Sequence, residues 1–250
     1  IVLTGVNVGQ YRQNEFDLVG LIAQLEEIGG IERIRISSIE PTTITNTLLD
    51  RMASSSKLCP YLHVPLQSGD DAILSSMNRP YNTKEFVHLI HRAVAAIPHL
   101  GLGTDLMVGF PGETEEAFEH TLRIARELPF SYFHVFTYSP RPGTAATKLP
   151  NQVPIAVARE RAKKLAELSR LKRLTFAERY IGSTVSVLFE SGVIDGYRLG
   201  VTANFLKVGV PSSINLTNHL KNVSIIGTSD SWAVGQLASE YQPTRRVPVL

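Results

Sequence analysis

A single cysteine, Cys59, stands in a chain of 250 residues. That excludes an internal disulfide framework and fits a reducing compartment such as the cytoplasm. Long hydrophobic runs are also missing. No stretch of about 18 apolar residues occurs, so the sequence offers no membrane-spanning helix and no membrane partner is expected. Charge of one sign is not in excess. The 25 Lys and Arg against 23 Asp and Glu leave +2, so any basic surface has to be local. A starting Met is absent too: the chain opens inside the apolar run Ile1-Val-Leu-Thr4, and a preceding segment is expected. What is present is apolar mass. Hydrophobic residues make up 43% of the chain, enough for a full core in one large domain or a domain plus a smaller one.

The most informative stretch runs from Gly101 to Phe118. Leu102–Val108 reads as a buried strand, and Gly109-Phe-Pro-Gly112 as a turn. Thr114 is placed to cap a helix, with Glu115 and Glu116 at the positive end of its dipole. Phe118, Leu122, Ala125 and Leu128 then recur at helical spacing. A strand, a glycine turn and a helix N-terminus let a ligand approach the backbone closely and meet free N–H groups. The same pattern also serves as an ordinary βα turn that needs glycine only for geometry.

The first 150 residues repeat this alternation. Strands are predicted at Ile1–Thr4, from Ile34, from Leu62, at Leu102–Val108 and at Tyr132–Thr137. Helices follow around Leu18–Ile28, Asn46–Ala53, after Asp70 or Asp71, Thr83–Ile97 and after Thr114. Strict alternation predicts parallel strands joined by right-handed crossovers. Polar residues fall just past each strand: Asn7, Ser38 with Glu40, Gln67 with Ser68, Glu113, and Arg141. Polar strand ends reach solvent in any fold, but five such loops predict a barrel with its site at the carboxyl ends of the strands.

Residues 151–181 differ. A long helical pattern runs from Val153 to Tyr180, with cations that include Arg170 and Arg173 outnumbering its acids. This is either a solvated face or a contact for a phosphate backbone. After Gly182 the period changes to that of strands: Val185–Phe189, Gly196–Thr202, Asn204–Val210, Asn222–Ile226 and Trp232–Gly235. Five short strands without helices predict a small β-barrel. Phe205 and Lys207 are expected to alternate on one strand beside Tyr197 and Arg198 on its neighbour. Such side chains either fill the barrel or bind single-stranded RNA by stacking and charge.

Four segments carry a resemblance to a known family. His63-Val-Pro-Leu-Gln-Ser-Gly69, Ser76-Met-Asn-Arg-Pro-Tyr81, Thr104-Asp-Leu-Met-Val-Gly-Phe-Pro-Gly-Glu-Thr114 and Phe136-Thr-Tyr-Ser-Pro-Arg-Pro-Gly-Thr144 resemble the radical-SAM methylthiotransferases, in order and over nearly the whole chain. Leu3-Thr-Gly-Val-Asn7, Arg35-Ile-Ser-Ser-Ile-Glu-Pro41 and Leu58-Cys-Pro-Tyr61 look most like the branch that modifies threonylcarbamoyladenosine in tRNA.

The resemblance implies an α/β fold. It consists of a partial parallel (β/α)6 barrel lacking its first strand over 1–150, a basic connecting helix over 151–181, a TRAM-like RNA-binding β-barrel over 182–242, and a tail over 243–250. It implies an enzyme that adds a methylthio group to C2 of a modified adenosine beside the anticodon. A 4Fe-4S cluster on a Cys-x3-Cys-x2-Cys motif would reduce S-adenosylmethionine, and the resulting deoxyadenosyl radical would take hydrogen from the base. A second cluster would support sulfur insertion, and a second S-adenosylmethionine would supply the methyl group. Neither cysteine set is in this chain. The clusters are therefore expected in a missing N-terminal region of the same protein, and the fragment alone is expected to be inactive. By position, the resemblance assigns S-adenosylmethionine to Asn7, Ser38, Glu40, Gln67, Ser68, Val108, Gly109, Gly112 and Arg141. It assigns the tRNA anticodon stem-loop to Arg170, Arg173, Arg198, Phe205 and Lys207. Asp105 sits within a strand and is expected to pair with a neighbour, and His63 to be a hydrogen-bonded core residue. The competing readings are the same chemistry on isopentenyladenosine or a ribosomal protein, a non-catalytic RNA-binding scaffold, and a barrel enzyme for a small metabolite.

Overall fold

The computed structural model describes residues 1–238, which form two compact units. One holds Ile1–Phe176 together with Ala203–Phe205; the other holds Ala177–Thr202 and the residues from Leu206 onward. The predicted tail lies outside the described residues, as does the end of the predicted second barrel.

In the first unit, parallel strands follow one another in chain order. β1 (Val2–Leu3) pairs with β4 (Arg35–Ile36), and β5 (Tyr61–His63), β6 (Gly101–Val108) and β7 (Tyr132–Thr137) form a three-stranded sheet. Single parallel bridges, Ile34 to Leu58 and Ser38 to His63, join the two groups. The expected alternation is present: α1 (Leu18–Glu26), α2 (Asn46–Ser54), α3 (Asp71–Ser76), α4 (Thr83–Ala96) and α5 (Glu115–Glu127) separate the strands. A two-stranded ribbon, β2 (Arg12–Gln13) with β3 (Phe16–Asp17), turns through Asn14 at φ 54° and precedes α1. Its strands are too short to show a period-2 pattern in the sequence.

The helices start where their caps dictate. Asp17 accepts from the Gly20 amide, Thr45 from Leu48 and Thr114 from Ala117; Asn82 and Glu85 form a reciprocal capping box. The faces so oriented bury Ile22, Leu48, Leu49, Phe86, Ile90, Phe118 and Ala125 against the outer side of the sheet, which supplies Leu62, Leu102, Leu106 and Phe133. Gly69 belongs to this packing. A Cβ there would lie 2.5 Å from the Thr121 Cα, so only glycine lets the loop after β5 sit on α5.

α6 (Ile155–Glu178) begins just after Pro154 and matches the long basic pattern. None of the described helices is long and apolar enough to cross a membrane. In the second unit β8 (Thr184–Ile194), β9 (Tyr197–Thr202), β10 (Lys207–Pro211), β11 (Leu220–Thr228) and β12 (Ala233–Leu237) close into a barrel in the order β10-β12-β11-β8-β9. Val187, Phe189, Leu199, Val208, Val223 and Ile225 are buried in it. The expected strand Asn204–Val210 is shorter than its sequence pattern. Phe205 takes φ 68°, and the Thr202 hydroxyl accepts from the Leu206 amide, so the segment turns there and the strand starts at Lys207.

The cap of α3 has a pH signature. Asp70 accepts from the Ala72 and Ile73 amides and from His120 Nδ1 at 2.9 Å. Burial pushes its carboxyl up, but the His120 and amide hydrogen bonds outweigh burial and hold it below the ordinary value of 3.8. The stabilisation is therefore present above the unfolded value and lost as pH falls through the folded one. Asp70→Ala is expected to cost about 1 kcal/mol at neutral pH. Urea unfolding of both proteins over a pH series should show that difference shrinking below about pH 4.

Candidate functional site

The carboxyl ends of the five parallel strands gather most of the predicted cofactor residues. Asn7, in the loop after β1, is half-buried; its Oδ1 is buried with no hydrogen-bond partner among the described residues. Ser38 is exposed beyond β4. Glu40 is half-buried, with one carboxylate oxygen 3.4 Å from Arg79. Gln67 stands at φ 69°, with its amide donating to the Asp105 carbonyl and its carbonyl accepting from Met107. That backbone conformation turns the chain out of the sheet. Val108 is fully buried at the end of β6. Gly112, at φ 87°, has open space where a Cβ would project. Arg141 is exposed beyond β7. Tyr138, one residue past β7, packs edge-on against Phe110 at 5.3 Å, and its buried hydroxyl has no partner among the described residues.

Two predicted residues are occupied by protein contacts. The Ser68 hydroxyl is fully buried, facing Thr121 at 3.4 Å and accepting from the Asp70 amide. The Gly109 amide donates to Glu113 Oε2 at 2.6 Å, so it is not free for a ligand. Glu113 has a second donor in Arg161, at 2.8 Å, and Arg161 also reaches the Glu113 carbonyl and Glu115. Burial works against the Arg161 charge, yet its hydrogen bonds to Glu115 and Glu113 hold the guanidinium above its ordinary value. Its ring neighbour is Phe118, 5.3 Å away. This corrects the picture of α6 as a plain cationic face. Arg161 is only 5% exposed and clamps the glycine turn. Lys172 donates to the Arg126 and Leu128 carbonyls, capping α5. Of the two α6 residues assigned to RNA, Arg170 pairs with Glu167 and Arg173 lies 5.9 Å from the Tyr132 ring.

Deeper in the same unit lies a polar sheet face. Register places Tyr61 and His63 beside Gly101 and Gly103, and Gly103 and Asp105 beside Tyr132 and His134. His63 Nε2 is 2.9 Å from Asp105 Oδ1, and its Nδ1 faces both tyrosine hydroxyls at 3.4 Å; those hydroxyls meet at 2.5 Å. Asp105 thus has a neighbouring partner and His63 is hydrogen-bonded, as expected of each; that they partner each other follows from the strand register. A Cβ on Gly103 would come within 2.6 Å of His63 Nδ1, so glycine is required for this approach. Burial raises the Tyr61 and Tyr132 phenols well above their usual range and, with His63 alongside, lowers the His134 imidazole. The sequence signal for this face is that Tyr132, His134 and Phe136 alternate at strand period.

Phe205 does not share a strand with Lys207, which corrects the expected pairing. It groups with the first unit, its ring 4.7 Å from Tyr61 and 5.8 Å from Tyr132, with the Arg35 guanidinium 4.8 Å away. In the second unit Tyr197 and Arg198 pair with Pro211 and Val210, not with the start of β10. Lys207 lies 5.7 Å from the Trp232 ring, and Tyr197 is 6.0 Å from the same ring. The aromatic beside Lys207 is thus Trp232, which sequence spacing did not connect to it.

Comparison with known proteins decides the family. Residues 1–125 match the model of the radical SAM superfamily. The chain belongs to the radical SAM superfamily. It is 41% identical over 208 residues to the tRNA-2-methylthio-N(6)-dimethylallyladenosine synthase of Ehrlichia chaffeensis, covering 81% of this chain and 47% of that protein. It is also 41% identical to the threonylcarbamoyladenosine tRNA methylthiotransferase MtaB of Chlamydia pneumoniae, over 84% of this chain and 50% of that one. The tRNA-2-methylthio-N(6)-dimethylallyladenosine synthase of Pelotomaculum thermopropionicum is 36% identical, over 96% of this chain and 55% of its own length. The chain thus spans about half the length of the curated relatives it matches.

The superfamily implies S-adenosylmethionine and a 4Fe-4S cluster. The strand-end residues fit the first: two buried polar atoms, on Asn7 and Tyr138, lack partners among the described residues, and Gly112, whose amide donates to the Asn151 carbonyl, leaves open the space a side chain would fill. The residues of this chain do not fit the second. Cys59 is its sole cysteine and is buried against Tyr61 and Tyr132, whereas a cluster needs several thiolates.

The clamp on the glycine turn can be tested by stability. Arg161→Met leaves the Glu113 carboxylate buried without its cation and is expected to cost about 3–5 kcal/mol. Adding Glu113→Gln should recover part of that loss, so the double variant unfolds at higher denaturant than Arg161→Met alone.

Proposed function

We propose that this chain is the cofactor-cradling and RNA-contacting part of a tRNA methylthiotransferase acting on C2 of a modified adenosine beside the anticodon. One observation carries the reading: the Asn7 and Tyr138 oxygens, without partners among the described residues, stand past the carboxyl ends of the first and last of five parallel strands, in a radical SAM chain. The reading treats the five strands as part of a (β/α)6 barrel and takes the cluster ligands from sequence beyond these 250 residues. It treats the second barrel as a TRAM-like RNA-binding module.

Under this reading Asn7, Ser38, Glu40 and Gln67 orient S-adenosylmethionine, while the backbone from Val108 to Gly112 approaches its adenine side and Tyr138 supplies a hydroxyl. Ser68 and Gly109 act indirectly, by fixing the turns after β5 and β6. Bound S-adenosylmethionine supplies the species that removes hydrogen from the base and the methyl group that is transferred. For RNA, the second unit offers Lys207 beside Trp232 and Tyr197, charge next to aromatic faces, together with Arg198; the first unit separately offers Arg170 and Arg173.

Arg141 supports threonylcarbamoyladenosine as the substrate. Relatives of both names match at 41% identity, so identity does not choose between them. A threonylcarbamoyl group carries a carboxylate and a dimethylallyl group does not. The exposed guanidinium fork beyond β7 suits a carboxylate.

The test uses the complete protein that contains this chain, expressed in a strain lacking 2-methylthio nucleosides. Nucleoside mass spectrometry is expected to show the methylthio derivative of threonylcarbamoyladenosine. Product on dimethylallyladenosine alone would overturn the branch, and no methylthio product on tRNA would overturn the enzyme. Arg141→Ala should raise KM for tRNA by at least about tenfold, the loss of a hydrogen bond to a charged group.

A further inference from the structure

Asp105 lies three residues before the end of β6, on the sheet face below the strand-end site. With His63 from β5 and His134 from β7 it brings two imidazoles and a carboxylate together from three adjacent parallel strands. One ligand atom from each lies within 4.8 Å of the other two. We propose that His63, Asp105 and His134 form a binding site for a divalent transition-metal ion of borderline softness, of which Zn2+ is the type.

The chemistry of the donor set points to that class. Two imidazole nitrogens suit zinc-like ions and disfavour magnesium and calcium, which take oxygen. Three protein ligands leave one position of a tetrahedral ion open, the pattern of zinc sites that bind an exchangeable molecule. Two neutral imidazoles and one carboxylate leave a single negative charge for the ion to offset. The support around the ligands is also of the right kind. The second nitrogen of His63 faces the Tyr61 and Tyr132 hydroxyls at 3.4 Å, a set of neighbours that can orient a metal-binding ring. Gly103 removes the one Cβ that would push His63 aside.

Little has to move. His63 and Asp105 already approach to 2.9 Å, and binding would replace that hydrogen bond. His134 is exposed, with its ring 5.2 Å from that of Tyr132 and 5.6 Å from that of His63, and closing the remaining gap takes a shift on the order of 1 Å given metal–nitrogen bonds of about 2.0–2.1 Å. The site uses no cysteine and none of the side chains assigned above to S-adenosylmethionine, and it is built wholly within the first unit.

The experiment takes the purified 250-residue chain, stripped with a chelator, and titrates it with Zn2+ by calorimetry and with Co2+ by visible absorption. One equivalent of each is expected, with the ligand-field bands of four-coordinate cobalt bound to nitrogen and oxygen. Mg2+ should give no saturable heat. His134→Ala, at an exposed position, and His63→Gln should each weaken Zn2+ binding by at least about tenfold. His88→Ala, at an exposed position on α4, should leave it unchanged. Zn2+ at saturation should raise the melting temperature of the wild type and not of His134→Ala. Absence of stoichiometric binding, equal affinity in His134→Ala and wild type, or a cobalt–thiolate charge-transfer band implicating Cys59 would each overturn the site.

Discussion

Alternation along the central strand β6 is the constraint on which the first unit depends. Leu102, Thr104, Leu106 and Val108 point to one side and are fully buried there. Gly101, Gly103, Asp105 and Met107 point to the other. Parallel pairing passes this division to the neighbours, so Leu62 and Phe133 join the apolar side while His63, Tyr132 and His134 join the polar one. A slip of one residue would exchange the two faces, burying Asp105 among leucines. The register is pinned from within. Thr104, on the apolar side, donates to the Val64 carbonyl at 2.7 Å and accepts from the Leu66 amide at 3.0 Å. Its hydroxyl thereby satisfies backbone groups of the segment after β5, which have no strand partner of their own.

The end of β6 shows how a glycine turn is held in one shape. Gly109 at φ 77° and Gly112 at φ 87° give the chain freedom that most residues lack. Freedom has to be removed again if the turn is to present a fixed backbone. Glu113 does this by accepting from the Gly109 amide and from Arg161. Burying both charges is costly, and the cost is offset by the hydrogen bonds to Glu113 Oε2 from the Gly109 amide and Arg161, and by those from Arg161 to the Glu113 carbonyl and Glu115. A positive side chain on α6 thus serves the geometry of a loop that lies some fifty residues earlier in the chain.

Much of this was legible from sequence, for physical reasons. The period of apolar residues and the capping residues Thr114 and Asp70 located α3 and α5, and the change of period after Gly182 located the five strands of the second barrel. The strand-end position of Asn7, Glu40, Gln67 and Arg141 followed from the same alternation. Other features could not be read. Arg161 looks like any cation in a charged helix, because its burial depends on which helix face meets the glycine turn. Phe205 looked like a strand residue because its positive φ has no signature in a bulky aromatic. Trp232 and Lys207 meet only because β10 and β12 are neighbours, a pairing set by barrel closure and not by sequence distance. The His63, Asp105 and His134 grouping likewise needed the register of three strands.

Cys59 has a consequence of its own. Its side chain is 3% exposed, packed with Tyr61 and Tyr132, and burial pushes its thiol above the ordinary range, with Arg35 and Arg33 only partly opposing. Thiolate is the reactive form, so the folded chain presents almost none to an alkylating reagent or to iron and sulfide. The sole thiol is thereby a reporter. Any labelling of this chain counts molecules whose Tyr61–Tyr132 packing has opened, and the rate of that labelling reads the free energy of opening at the middle of the sheet.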